Sequence, residues 1–163
     1  AGGRCGIVMD EGVLFRTNEN AFVQTKRKLL NECNLWCIIS LPQKVFVNAG
    51  AASKTNLLFF TKGEPTKEIW YYDLSDLNIT KKQPLTSAHF EEFFELLPER
   101  GISDRSWRAS VEEIVAKNYD LKAVNPNRKG EGDARTPQEL LSIIELQSDE
   151  IKNIISLLRK KGL

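Results

Sequence analysis

The sequence predicts an α/β fold, a sheet in the first half followed by a helical tail, and three observations carry that prediction. Before residue 42, two short apolar runs flank a stretch with helical spacing. Two more strand-like runs follow, across a loop far longer than most connections. From Asp76 onward the apolar spacing becomes helical, and no internal repeat is present.

Each element has a local reason. Gly6-Ile7-Val8-Met9 reads as a short buried strand closed by the turn Asp10-Glu11-Gly12. A helix is predicted over about 18–33. Phe22, Leu29 and Leu30 lie on one side of it, Lys26-Arg27-Lys28 reads as a solvated face, and Asn34 is the C-cap candidate. Leu35–Leu41 is a second buried strand, and strand, helix and strand of these lengths suggest a right-handed crossover between parallel strands. Residues 56–61 and 68–74, separated by Gly63-Glu64-Pro65, read as a hairpin-like addition at the sheet edge. Thr86 can cap a helix reaching Leu97, with Leu85 and Phe90 as a staple and Pro98 as the stop. Ser110 and Glu113 form a capping-box pattern for a short helix to about Asn118. Residues 125–136 are rich in Asn, Gly and charge and read as a linker. Thr136-Pro137-Gln138-Glu139 then opens a helix to about Lys161. The expected organisation is a sheet over 1–75, a helical extension over 76–124, a linker over 125–136 and an amphipathic helix over 137–163.

With 163 residues, 41% of them apolar, the chain can bury a core without disulfide or metal staples. Cys5, Cys33 and Cys37 are odd in number and lack C-x-x-C spacing, which argues against a disulfide framework or zinc site and fits a reducing, cytoplasmic compartment. No apolar stretch reaches membrane-spanning length. A strand-like run begins at Arg4, almost at the first residue, so the chain reads as a piece of something longer. Charge is uneven: residues 1–62 hold 8 basic and 4 acidic side chains, the remainder 15 and 18. Contacts to a phosphate backbone are therefore expected in the first third, although an ordinary mixed surface would give the same count.

Catalytic constellations are sparse. His89 lies in the first turn of a predicted helix with no Cys or Ser partner in a motif, and the carboxylates sit at caps and on solvated faces. Gly2-Gly3-Arg4-Cys5-Gly6 precedes a strand, where a dinucleotide-binding loop must follow one, and no metal motif is present. The apolar heptad positions Leu140, Ile144, Ile151, Ile154 and Leu158, with Gln147 as a polar interruption, need a partner, either this chain's own domain or another chain. Phe46, in the long loop with Lys44 and Lys54, is either a core anchor or an exposed aromatic face; the lysines serve either solubility or phosphate contact.

Several separated blocks, in order, resemble the modification (M) subunit of type I restriction-modification systems. They are Gly3-Arg4-Cys5-Gly6-Ile7-Val8, Gly12-Val13-Leu14-Phe15-Arg16, residues 41–63 with Lys54-Thr55-Asn56-Leu57-Leu58-Phe59-Phe60 the most specific, Ile69-Trp70-Tyr71-Tyr72-Asp73-Leu74, and Asn118-Tyr119-Asp120-Leu121. The resemblance implies the C-terminal part of a doubly wound methyltransferase sheet, mixed through one antiparallel strand. It also implies a parent enzyme that moves a methyl group from S-adenosylmethionine (AdoMet) to the exocyclic amine of adenine in double-stranded DNA. The family's glycine-rich AdoMet loop and its Asn-Pro-Pro-Phe/Tyr loop do not occur here, and Asn125-Pro126-Asn127 only echoes the latter, so this chain alone is expected neither to bind AdoMet nor to methylate. By the same resemblance Phe46 stacks on the flipped base, Lys44 and Lys54 touch DNA, and the C-terminal helix packs on the specificity (S) subunit of a complex that also holds the restriction (R) subunit. The family commonly has Pro-x-Gly where Asp10-Glu11-Gly12 stands and glycine in place of Lys44. An interaction module that keeps the sheet only as a scaffold is the rival expectation.

Overall fold

The computed structural model describes residues 2–51 and 53–127, together with Gln138, Leu141, Ile144, Glu145, Ser148, Ile151 and Ile155. Contacts divide the chain into two units, Ala1–Arg128 and Lys129–Leu163.

The first unit is built on five strands, β1 (Arg4–Asp10), β2 (Cys33–Ser40), β3 (Thr55–Lys62), β4 (Glu68–Asp73) and β5 (Ser106–Ser110), ordered β1-β3-β2-β4-β5. Helices α1 (Glu11–Phe15) and α2 (Asn20–Glu32) connect β1 to β2, while α3 (Glu91–Leu96) precedes β5 and α4 (Val111–Ala116) follows it. The sheet is mixed, because β2 and β4 pair parallel and every other neighbouring pair is antiparallel. Apolar side chains cover both faces. Leu14, Leu30, Ile38, Leu58, Tyr71 and Ile114 build one core cluster. Ile39, Leu41, Trp70, Tyr72, Leu74 and Phe93 build the other. The Trp70 indole N–H also donates to the Gly101 carbonyl at 3.0 Å, which fastens the segment between α3 and β5 to the sheet.

Several expectations are corrected. β1 is an edge strand with Ile7 40% and Val8 47% exposed, so it is not buried. Asp10-Glu11-Gly12 is the start of α1, with Asp10 as N-cap accepting from the Gly12 N–H at 2.7 Å. The β1–α2–β2 crossover does join strands of one direction, but β3 inserts between them, antiparallel to both. β3 therefore forms no hairpin with β4, which pairs instead with β2 and β5. Asn34 is not a cap, since α2 runs straight into β2 with Cys33 at the junction. Strand β5 lies inside the segment read as helical.

Other local predictions hold. Thr86 caps the 3-10 turn Ser87–Phe90 that leads into α3, and the His89 imidazole closes its capping box by accepting from the Thr86 N–H at 3.1 Å. Ser110 and Glu113 close a second box at α4. In the second unit, Gln138, Leu141, Ile144, Glu145, Ser148, Ile151 and Ile155 are helical and exposed. Residues 128–136 of the expected linker, and Thr136, Pro137 and Glu139 of the expected capping box, lie outside the described residues. No helix among the described residues is long and apolar enough to cross a membrane.

Candidate nucleic-acid interface

Strands β1, β2 and β4 run in one direction and end at Asp10, Ser40 and Asp73 along a common edge. Ligands of open α/β sheets bind outside the carboxyl ends of such strands. The loop 41–54 leaves from the middle of this edge.

Its first residues, Leu41 and Pro42, are buried, and the Leu41 N–H donates to the Thr55 carbonyl at 3.1 Å, so the loop starts and ends at a closed neck. Lys44 is exposed, with φ of 66° in the left-handed region. Its carbonyl accepts from the Val47 N–H at 3.1 Å, which starts the 3-10 turn Val47–Ala49. The Phe46 carbonyl accepts from Ala49 at 2.9 Å and from Ala51 at 3.1 Å, and Gly50, at φ of 80°, lets the chain turn back. The loop is wound around Phe46, whose half-buried ring packs against the cluster of Leu41, Trp70, Tyr72, Leu74 and Phe93.

Lys54 is tied to α1 twice. Its ammonium lies 2.8 Å from Glu11 Oε1, and its carbonyl accepts from the Glu11 N–H at 3.0 Å. The α1 helix is held in turn by Lys26. This buried ammonium donates to the Leu14 carbonyl at 2.8 Å and the Arg16 carbonyl at 2.9 Å, and desolvation lowers its pKa. Lys26 is thus not part of a solvated face. The sequence marks neither Glu11 nor Lys26 as a site residue, though positions 22, 26, 29 and 30 share one face of a helix and place Lys26 among apolar side chains.

Beside the loop, Arg105 forks onto Asp76 at 2.7 and 2.9 Å and donates to the Asp73 carbonyl at 3.2 Å. The Tyr72 hydroxyl donates to Glu92 at 3.0 Å, and burial together with that carboxylate pushes its pKa far up. Ser40 and Asn56 face each other across β2 and β3 and are fully buried; with Thr55 they have side-chain polar atoms lacking a partner among the described residues.

The structure thus brings Phe46, Lys44 and Lys54 into one loop at the carboxyl edge. In the other unit Ile144 and Ile151 are exposed helical residues, while Leu140, Ile154 and Leu158 lie outside the described residues. No group of side chains suited to a metal ion occurs among the described residues.

Residues 1–144 match the family model described as N-6 DNA methylase. The methylase subunit of the type I restriction enzyme EcoEI from Escherichia coli is 34% identical over 168 residues, an alignment covering 96% of this chain and 34% of that subunit. A solved structure titled for complex assembly and conformational transition of the type I R-M system has a TM-score of 0.72 at 38% identity, covering 96% of this chain and 35% of the other. A modification subunit assigned to a type I restriction enzyme from Vibrio vulnificus gives 0.69 at 31% identity over 77% of this chain and 28% of its own. The chain spans about a quarter to a third of the length of the curated relatives it matches. With the matched sheet and the family model covering most of its residues, the chain belongs to the N-6 DNA methylase family, alongside the methylase subunits of type I restriction enzymes.

Proposed function

We propose that the chain is the part of a type I modification subunit that receives the target base, and that its parent enzyme transfers a methyl group from AdoMet to the exocyclic amine of adenine in double-stranded DNA. The observation that carries this is the loop around Phe46 at the carboxyl edge of a methyltransferase sheet. A base inside a duplex is out of reach for methyl transfer, so it must leave the stack, and an aromatic face offers it replacement stacking. Phe46, half-buried against the apolar cluster and held by a hydrogen-bonded loop, supplies that face. Lys44, exposed two residues away, is placed to meet a phosphate. Lys54 holds the loop against Glu11, and its remaining N–H groups can serve the same backbone.

The turn after β1 offers no cradle for AdoMet. It is filled by the Asp10 cap, and a Cβ at Gly12 would meet the Asp10 carboxylate at 2.7 Å, which leaves no open glycine cradle. We assign the methyl donor to other parts of the parent protein. The exposed Ile144 and Ile151 support a docking surface for the S subunit, within a complex that also holds the R subunit.

Phe46→Leu in the full-length subunit tests this, because leucine keeps an apolar anchor and lacks a flat face. Base–aromatic stacking worth about 1–3 kcal/mol corresponds to a loss of roughly 5- to 150-fold in methylation of a target duplex. The melting temperature should stay close to the parent's. Methylation at the parental rate would remove Phe46 from the base site.

A further inference from the structure

Because β2 and β4 are parallel neighbours, with Ser40 opposite Asp73, the segments leaving their ends emerge side by side. The one after β4 packs Leu77 and Leu85 on the same apolar cluster that receives Val45 and Phe46, and Ile79 is buried between them in sequence. Thr80 and Gln83 then exchange backbone hydrogen bonds, each N–H donating to the other's carbonyl at 3.1 Å, while the Gln83 N–H also reaches Thr80 Oγ1 at 3.1 Å. Such a reciprocal pair closes a tight turn. Lys81 and Lys82 form its tip, and both are exposed.

The charges around this turn are one-sided. Between residues 75 and 90 the only acid is Asp76, which Arg105 grips with two hydrogen bonds. Elsewhere on the edge, the Asp10 and Asp73 carboxylates accept from the backbone N–H groups of Gly12 and Ser75, Glu11 is matched by Lys54, and Glu92 by the Tyr72 hydroxyl and by Arg105 at 4.0 Å. Lys44, Lys81 and Lys82 pair with no carboxylate among the described residues. The opposite edge carries a mixture, with Lys62 and Lys67 near Glu64 and Glu68 in sequence.

We propose that the Thr80–Gln83 turn is a second DNA-contacting arm, in which Lys81 and Lys82 neutralise backbone phosphates beside the base that Phe46 receives. Duplex DNA presents one negative charge per about 1.7 Å of axis, so two adjacent ammonium groups on a closed turn can meet separate phosphates. The assignment rests on the function proposed above and deepens it. It also moves part of the phosphate contact out of the basic first third, because Asp76 and Glu92 are held by Arg105 and the Tyr72 hydroxyl.

Duplex binding by the full-length subunit across about 50–200 mM salt tests the arm, since each phosphate neutralised adds about 0.9 to the slope of log affinity against log salt. Lys81→Gln with Lys82→Gln should lower that slope by about 1.8. Lys62→Gln with Lys67→Gln, which removes the same charge from the opposite edge, should leave it unchanged. Lys81→Arg with Lys82→Arg should preserve it. An unchanged slope in the Gln pair at the turn, or an equal fall in both Gln pairs, overturns the arm. If the slope falls as expected while the subunit methylates no adenine, the arm stands and the proposed activity fails; if methylation depends on Phe46 while the slope does not move, the arm alone fails.

Discussion

Thr66→Val is the substitution whose effect follows most directly from geometry. Helix α2 passes into β2 without a loop, and Thr66 secures the junction from the turn before β4. Its hydroxyl accepts from the Leu35 N–H at 2.9 Å and donates to the Cys33 carbonyl at 2.7 Å, while its own N–H donates to the Leu30 carbonyl at 2.8 Å. The residue is only 4% exposed, so water cannot readily replace these bonds. Valine matches threonine in shape but removes both hydroxyl bonds. Leaving a buried backbone group unsatisfied costs about 1–3 kcal/mol, and with two groups of unequal exposure the loss should be about 2–4 kcal/mol. At about 2–4 °C per kcal/mol for a chain of this size, the melting temperature should fall by roughly 5–15 °C. Thr66→Ser keeps both bonds and loses one methyl group, at a cost of about 1 kcal/mol. Thermal and urea denaturation of the two variants, measured side by side, check the ordering. A valine variant as stable as the serine variant would show that the hydroxyl does not hold the junction.

Two further predictions concern pH and assembly. Burial pushes the Cys37 thiol up to about 12 from an ordinary 9.0, so across that window the folded chain keeps a proton that the unfolded chain sheds. Stability should therefore fall as pH rises through it, and Cys37→Ala should flatten part of the fall in urea titrations at alkaline pH; the Tyr71 and Tyr72 hydroxyls, also raised, account for the part that persists. Ile151→Asp should leave the melting of the sheet unit within about 0.5 kcal/mol, since Ile151 is exposed, yet abolish co-purification with the S subunit. Normal co-purification would place that contact elsewhere.

The parts of the fold written in local sequence were legible, and those that depend on distant chain were not. β2, β3 and β4 announced themselves as short apolar runs between turn residues, and the Ser110–Glu113 box marked α4 because a capping box is a local hydrogen-bond pattern. Gly6-Ile7-Val8-Met9 would read the same in an interior strand or an edge strand; only the neighbouring strand decides its burial. The insertion of β3 between β1 and β2 is likewise a matter of long-range pairing. β5 carries no such local signal because Ser-Trp-Arg-Ala-Ser is largely polar, and its place is secured by Trp107 stacking on Tyr71 at 5.1 Å, a contact across strands. At the candidate site the loop and Phe46 were visible as a long small-residue connection. The Glu11–Lys54 pair was not, because its partners are far apart in sequence.

Lys44 sets two demands on one position in opposition. At φ of 66° its backbone occupies a region that a side chain disfavours by about 1–2 kcal/mol. Backbone shape and charge are therefore separable at this residue: glycine would relax the turn and delete a cation from the rim, whereas lysine keeps the cation and leaves the turn strained.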